Sequence, residues 1–443
     1  MARLHIVPFS TVDKWYVSYY LNPYRVKSSY TMVNLSNVIS PIKIKVKKND
    51  YQGGTPVVSK ISFSDGKIHI RAESKTGMDL YKLFKNNLLV SKINFHQGAL
   101  AISKESELVC STHYQPYEID FNKVNGEFLT LAIRSNAFKD HLQYLRADGI
   151  KNEATYEFIG KLQIPLPLLA EQNRMVAACN AKIALAEQQE IQAKQLEQGI
   201  DLYLFDVLGI NQLEENQAKR FRTISFVDVD RWSVDSLGAT LKVEEKFKGN
   251  FPLVKFRSMI LSYQYGLSAK SSASIIGVPM LRMNNIKNSV LDFSSLKYID
   301  IDQKTFIKSK LNKGDLLFNR TNSKELVGKT ALFELDENFT FASYLIRVVI
   351  NPSKANSEFV NFLFNSPILQ YQKNLVSRQI TGQANINAQE MQEFLFPLPP
   401  LAKQQEIAQH IANLKSQIKH LKIQAEQNRA GAIKAFEQAI FNH

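Results

Sequence analysis

Cysteine is almost missing from this sequence: Cys110 and Cys179 are the only two in 443 residues. Two thiols make neither a disulfide framework nor a zinc knuckle, and their rarity fits a reducing compartment. Long apolar runs are missing as well, for no stretch approaches the ~18 consecutive apolar residues of a membrane span. The opening MARLHIVPFSTVDKW has no charged region leading into an apolar run, the mark of a signal peptide. These absences predict a soluble, cytoplasmic protein with no membrane partner. Acidic residues are in deficit, 41 against 55 Lys and Arg, for a formal charge of +14. Such an excess favours polyanionic partners, nucleic acid foremost. At 44% hydrophobic and 10% aromatic the chain is too apolar to be disordered, and its length suits two or three domains.

Catalytic signatures are also scarce. Asn22-Pro23-Tyr24 lacks the second proline of the adenine-methyltransferase motif and has no glycine-rich AdoMet loop nearby, so it reads as a turn. Gly328-Lys329-Thr330 ends like a phosphate loop, but Ser323 stands where the loop needs its first glycine. Asp65, Glu73 and Lys75 have a spacing that some metal-dependent nucleases use, although residue types this common match often by chance. The eight histidines are scattered, or lie on helical stretches as His410 and His420 do, without paired metal ligands. No nucleophile has a base and an orienting group beside it. The expectation is a binder with no catalytic residue, no metal site and no cofactor of its own.

What is present is a repeat. Ile164-Pro165-Leu166-Pro167-Leu168-Leu169-Ala170-Glu171-Gln172 recurs as Phe396-Pro397-Leu398-Pro399-Pro400-Leu401-Ala402-Lys403-Gln404. Leu83 to Asn94 matches Leu311 to Asn322, and Val12-Asp13-Lys14-Trp15 matches Val229-Asp230-Arg231-Trp232. The offsets, 232, 228 and 217, keep one order along the chain, which makes a tandem duplication. Each half has a mixed front. Pro41-Ile42-Lys43-Ile44-Lys45-Val46-Lys47 alternates at strand period, while Gly53-Gly54, Asp65-Gly66 and Lys313-Gly314-Asp315 read as turns.

Each half ends in a long helix, introduced by prolines suited to a first helical turn. Ile407, Ile411, Leu414, Ile418, Leu421, Ala425, Asn428, Ala432, Ala435 and Ala439 step by four and three as a heptad seam. Asn428 is a polar seam residue of the kind that fixes register. In the central helix Cys179, Ala186, Ala193, Ile200 and Val207 recur every seven residues, interrupted by Lys182 and Gln189, before a Gly209 cap. The two helices are expected to pair as an antiparallel coiled coil under an internal pseudo-two-fold. A helix of about 40 residues is ~60 Å long. Domains at its opposite ends would then read half-sites more than one helical turn of DNA apart.

Two divergent domains, each followed by a helix opened by Pro-Leu-Pro-x-Leu-Ala-x-Gln, resemble the specificity subunits of Type I restriction–modification enzymes. The second half carries the resemblance more fully, in Tyr265 to Lys270, Val278 to Ile286, Lys313 to Arg320 with Val327-Gly328-Lys329, and Gly382 to Asn387. The first half departs at Asn86-Asn87, in place of Gly-Asp, and at Lys92, in place of Arg320. The resemblance implies two α/β (α+β) target-recognition domains, 1–163 and 210–395, with helical regions 164–209 and 396–443. It further implies a non-catalytic subunit reading a split, asymmetric site in double-stranded DNA. Its partners would be two methylase subunits using AdoMet and motor–nuclease subunits using ATP and magnesium. The alternatives are the specificity subunit of a Type II enzyme cutting beside its site, a coiled-coil adaptor without sequence preference, and a self-sufficient nuclease.

Arginine pairs with guanine, and Asn or Gln with adenine, at base edges, while lysines track phosphates. The candidate DNA-binding residues of the second domain are Lys270, Arg282, Arg320, Lys324, Lys329, Arg378, Gln379 and Gln383. Those of the first are Lys43, Lys45, Lys47, Lys48, Arg71, Lys92 and His96, with Lys43, Lys45 and Lys47 expected on one strand face. Arg320 has a structural alternative, because it follows a turn.

Overall fold

The computed structural model describes residues 26–63, 65–72, 75–146, 154–211, 234–269, 271–376, 378–380 and 383–441. The repeat pair containing Trp15 and Trp232, and the Asn22-Pro23 turn, lie outside them. The chain forms two units, one of residues up to Glu190 and from Lys422, the other Ile191–Leu421.

The first unit begins with β1 (Met32–Asn34), β2 (Ile39–Pro41), β3 (Lys45–Val46), β4 (Val57–Ile61), β5 (Ile68–Arg71) and β6 (Leu80–Phe84). It continues through β7 (Leu88–Ser91), β8 (Leu100–Ile102), β9 (Glu107–Ser111), β10 (Tyr114–Ile119), helices α1 (Gly126–Arg134), α2 (Asn136–Arg146) and α3 (Tyr156–Ile159), and β11 (Gln163–Pro165). An antiparallel sheet runs β2-β10-β7-β8, a mixed one runs β3-β6-β9-β4-β5, and β1 pairs with β11. The central strand β7 is buried along its whole length, so Leu-Leu-Val serves both faces. Helix α1 covers the sheet with Phe128, Leu129, Ala132 and Ile133, one apolar stripe at helical spacing.

The second unit contains α4 (Val234–Lys246), β12 (Leu253–Lys255), β13 (Ile260–Tyr265), β14 (Val278–Leu281), β15 (Ile286–Lys287), β16 (Val290–Leu291) and β17 (Lys297–Ile299). Then come α5 (Gln303–Ser309), β18 (Leu316–Asn319), β19 (Thr321–Asn322), β20 (Thr330–Leu332), β21 (Thr340–Phe341) and β22 (Leu345–Ile350). The unit closes with α6 (Ser357–Phe364), α7 (Pro367–Val376), β23 (Arg378–Ile380), β24 (Gln383–Asn385), α8 (Ala388–Gln392) and β25 (Leu395–Pro397). Its antiparallel sheet, β13-β22-β18-β20, repeats the order β2-β10-β7-β8, and the β12–β25 pair repeats β1–β11. The buried face of α6, Phe359, Val360, Leu363 and Phe364, repeats that of α1. The duplication is therefore one of topology as well as sequence.

The strand expected over residues 41–47 is broken. Beyond β2, Ile42 N donates to Pro116 O (2.9 Å) but Pro116 has no N–H to return, whereas Ile44 O accepts from Lys82 N (2.9 Å). The chain thus crosses from one sheet to the other, and Lys43, Lys45 and Lys47 do not share a strand face. The turns hold: Gly53, Gly54, Gly66 and Gly314 all have positive φ. Asn86 (φ 68°) takes the left-handed place of Gly314 (φ 91°), a conformation asparagine tolerates. Beside it Asn87 Oδ1 accepts from Phe84 N as Asp315 Oδ2 accepts from Asn312 N, both 2.8 Å. The first half therefore builds the same turn with different residues.

The long helices span Leu169–Leu208 and Leu401–Ile440, so the prolines precede the first turn rather than occupy it. In the first unit the start of the central helix lies with the end of the C-terminal helix, and in the second the reverse, which makes the pairing antiparallel. Cys179, Ala186, Ala193, Ile407, Ile411, Ile418, Ala425 and Ala432 are buried; Ile200, Leu414, Leu421 and Asn428 are half-buried. Lys182 is exposed and leaves the seam to Ile183. The other polar residue finds a polar partner, for Asn428 Nδ2 donates to Gln189 Oε1 (2.9 Å). Arg429 and Glu190 add a two-pronged ion pair beside it (3.1 and 2.8 Å). Ala435 and Ala439, expected on the seam, are exposed; Phe436 and Ile440 are buried instead. In these last turns the helix packs on its domain, with Phe436 edge-on to Phe128 (5.5 Å), so the heptad step gives way to i, i+4. Gly209, with φ 65°, caps the central helix, Ile210 N returning to Phe205 O.

A buried glutamine joins each helix to its domain. Gln172 Nε2 donates to Pro167 O (2.8 Å) and Lys123 O (3.1 Å), and its Oε1 accepts from Asn125 N (2.8 Å). Gln404 repeats all three contacts, with Pro399 O (2.8 Å), Lys354 O (3.3 Å) and Asn356 N (2.9 Å). Asn125 and Asn356 are in turn the N-caps of α1 and α6. The last residue of the Pro-Leu-Pro-x-Leu-Ala-x-Gln segment is thus a clamp between helix start and domain.

Candidate nucleic-acid interface

In both units the central strand delivers a cation at its end. Lys92 follows β7 and Arg320 follows β18, in matching main-chain frames. Lys92 N donates to His113 O (2.9 Å) and Arg320 N to Tyr344 O (3.0 Å). Their carbonyls accept from Ala154 N (2.8 Å) and Ile386 N (2.9 Å) respectively. On this shared frame the side chains differ. Lys92 Nζ lies 5.7 Å from the Tyr81 ring, joined from β3 by Lys45 at 6.0 Å. The Arg320 guanidinium lies 5.1 Å from the Tyr265 ring. The Tyr265 hydroxyl accepts from Ala388 N (3.0 Å), which fixes the ring at the start of α8. Cation–ring contact at such sites contributes about 0.5–1 kcal/mol, enough to orient a side chain without neutralising it. Arg320 Nε has no hydrogen-bond partner among the described residues. A planar, oriented donor set suits base edges or phosphate.

Immediately after Arg320 the chain enters the sheet β19-β24-β23, in which Thr321 pairs with Asn385 and Asn385 with Arg378. Arg378, Gln379 and Gln383, separate in sequence from Arg320, are therefore brought onto strands beside it, although their side chains lie outside the described residues. Lys324 is exposed in the β19–β20 loop, with Lys329 half-buried at its end. Arg282 follows β14 in another sheet, where its N donates to Asn285 Oδ1 (2.9 Å). Lys270 is outside the described residues. In the first unit Lys43, Lys47 and Lys48 are exposed around β3, while Arg71 ends β5 at the opposite edge of that sheet. His96 and Lys92 border one narrow crevice.

Tyr81 and Tyr265 were not among the candidate DNA-binding residues, nor was the half-buried Arg347. That side chain joins Lys310 O (2.5 Å) and Gln264 Oε1 (2.6 Å), 4.0 Å from Asp315, whose pKa burial raises. Asp315 thus holds the turn before the central strand. Asp65 sits in an exposed turn, accepting from Lys67 N (3.1 Å), and hydrogen bonding, first from Ser62, lowers its pKa to about 2. Glu73, which would complete the nuclease-like set, lies outside the described residues. Among the described residues no three His, Cys, Asp or Glu side chains gather as metal ligands.

Behind the β19–β20 loop Lys373 is fully buried, donating to Phe364 O at the end of α6. Burial, and then the neighbouring Lys329, push its pKa down from 10.5 to about 7. Between these two values the unfolded chain binds more protons than the folded one, so stability rises with pH across that window and is lowest below it. Lys373→Met is expected to remove the rise, checked by urea unfolding at about pH 6.5, 8 and 9.5. An unchanged slope in the variant would assign it to other groups.

A family model for the Type I restriction modification DNA specificity domain matches residues 27–197 and 267–428. The chain belongs to the Type I restriction–modification specificity family. Its two matches cover the two copies of the repeat. A putative type I restriction enzyme MjaX specificity subunit of Methanocaldococcus jannaschii is 28% identical over 45% of this chain; the match spans 50% of that protein. The type I restriction enzyme EcoKI specificity subunit of Escherichia coli K12 is 23% identical over 84% of this chain and 77% of its own. A chain from a solved structure described as the basis of complex assembly and conformational transition of the type I R-M system shares the fold. It has a TM-score of 0.59 at 15% identity, covering 94% of this chain and 98% of that one. The specificity family thus accounts for the tandem recognition domains and the paired helices. Among the described residues no helix is long and apolar enough to cross a membrane.

Proposed function

We propose that this chain reads a split, asymmetric sequence in double-stranded DNA, one half-site per domain. It brings two methylase subunits and motor–nuclease subunits to that site in the cytoplasm. The observation that carries this reading is the shared frame with unlike heads: one backbone position displays Lys92 with Tyr81 in the first domain and Arg320 with Tyr265 in the second. A duplicated scaffold with divergent side chains suits two different half-sites. The formal charge of +14 supports a polyanionic target. In this reading the chain is not itself an enzyme; AdoMet, ATP and magnesium serve the partner subunits.

The test is a methylation map. Expressed with its neighbouring methylase in a methylation-free host, the chain is expected to produce adenine methylation at one bipartite motif that disappears without it. Methylation of the same motif by the methylase alone would remove the specificity role.

A further inference from the structure

Ile275 and Ile276 stand 82% and 73% exposed, the first more than any other large hydrophobic residue described. They cap a short uncharged loop, Ser271-Ser272-Ala273-Ser274-Ile275-Ile276-Gly277, on a chain otherwise rich in cations. The loop is not slack. Ser272 and Tyr298 exchange two main-chain hydrogen bonds (3.0 and 2.9 Å). Ser274 N donates to Ser272 Oγ (3.2 Å), and Ile276 N to Ser274 O (2.8 Å). Gly277 closes the loop at φ +96°, where a Cβ would meet Ile299 O at 2.3 Å, so only glycine lets the tip return to β14.

The root of this loop adjoins the cation-bearing rim. Leu267, two residues beyond Tyr265, donates to Phe341 O (2.8 Å) and accepts from Ser343 N (2.9 Å). Tyr344, next along, accepts from Arg320 N. The loop therefore leaves the chain just past Tyr265, its root tied to the Phe341–Tyr344 segment that also accepts from Arg320 N.

Building on the DNA-reading function above, we propose that Ile275 and Ile276 form a wedge that enters a base step of the bound duplex and bends it. A protein-docking patch buries about 800 Å² on each partner, far more than two isoleucines among serines offer. A base-step wedge needs only one or two apolar side chains, with cations nearby to hold the phosphates. Unstacking is easiest at pyrimidine–purine steps. The wedge thus adds a preference for such a step without reading a base edge.

The experiment uses the full chain co-purified with its methylase and duplexes carrying the mapped motif. The duplexes are end-labelled for energy transfer, or substituted with 2-aminopurine step by step. The native complex is expected to bend the duplex and brighten 2-aminopurine at one step. Ile275→Ser/Ile276→Ser, which disturbs only exposed side chains, is expected to bind the same motif about tenfold more weakly without bend or brightening. Ile275→Leu/Ile276→Leu is expected to retain both. A serine variant that bends DNA as the native complex does, or a native complex that leaves DNA straight, overturns the wedge and leaves the specificity reading intact. A serine variant that loses the methylase on gel filtration makes the tip a protein contact and overturns it too. A native complex with no preference for any duplex removes the specificity reading, and the wedge with it.

Discussion

Gln404→Ala is expected to destabilise the second unit by about 3–5 kcal/mol, the largest effect of any single polar substitution proposed for this fold. The amide makes three hydrogen bonds while almost wholly buried. Truncation strands Pro399 O, Lys354 O and Asn356 N, and each buried polar group left unpaired costs about 1–3 kcal/mol. Some of these groups will recruit water, which keeps the total below the sum of the three. The corresponding fall in melting temperature is about 10 °C. Because Asn356 caps α6, amide exchange should accelerate first in that helix, before the rest of the unit. Gln172→Ala should do the same to α1 in the first unit. A shift below about 2 °C, with α6 as protected as before, would show that the clamp adds little.

Arg320→Ala is expected to relax recognition at one base position in one half of the site. Loss of a good arginine–base contact weakens binding by about 1–3 kcal/mol, roughly 5- to 150-fold, at that position. Arg320→Lys keeps the charge and loses the planar fork over Tyr265, so specificity should fall while salt-dependent affinity largely remains. Lys92→Ala should alter only the other half-site. Methylation maps of the three variants make the comparison directly: one half of the motif should become degenerate and the other stay fixed. An equal loss across all sequences would instead make Arg320 a phosphate contact or a structural residue.

The duplication and the long helices were legible because they rest on local patterns: repeated words, a seven-residue period, glycines at turns. Errors arose where the same local pattern serves two tertiary outcomes. Residues 41–47 alternate as a strand would, yet Pro116 has no N–H to return to Ile42 O and the chain changes sheets just beyond. The seam follows its heptads to Ala432 and then turns to Phe436, because the final turns pack on Phe128 of the domain as well. Gln189 looked like an interruption until it proved to be the partner of Asn428. The cation–aromatic pairs stayed hidden because each joins residues from different strands, Tyr81 with Lys92 and Tyr265 with Arg320. Asn125-Gly126-Glu127-Phe128 and Asn356-Ser357-Glu358-Phe359 were a fourth repeated word that would have pointed to the glutamine clamp.

That clamp grips its domain through main-chain atoms: a lysine carbonyl and the amide of a helix-capping asparagine. A fastening made to the backbone is indifferent to the side chains displayed elsewhere on what it fastens. The reading face can therefore be rewritten wholesale, as a tool bit is changed in a chuck, provided the newcomer brings the same helix start to the same socket. Since the socket occurs twice, exchange at one leaves the other untouched. A newcomer must also keep the apolar contacts that seat the helices, Phe128 against Phe436 among them.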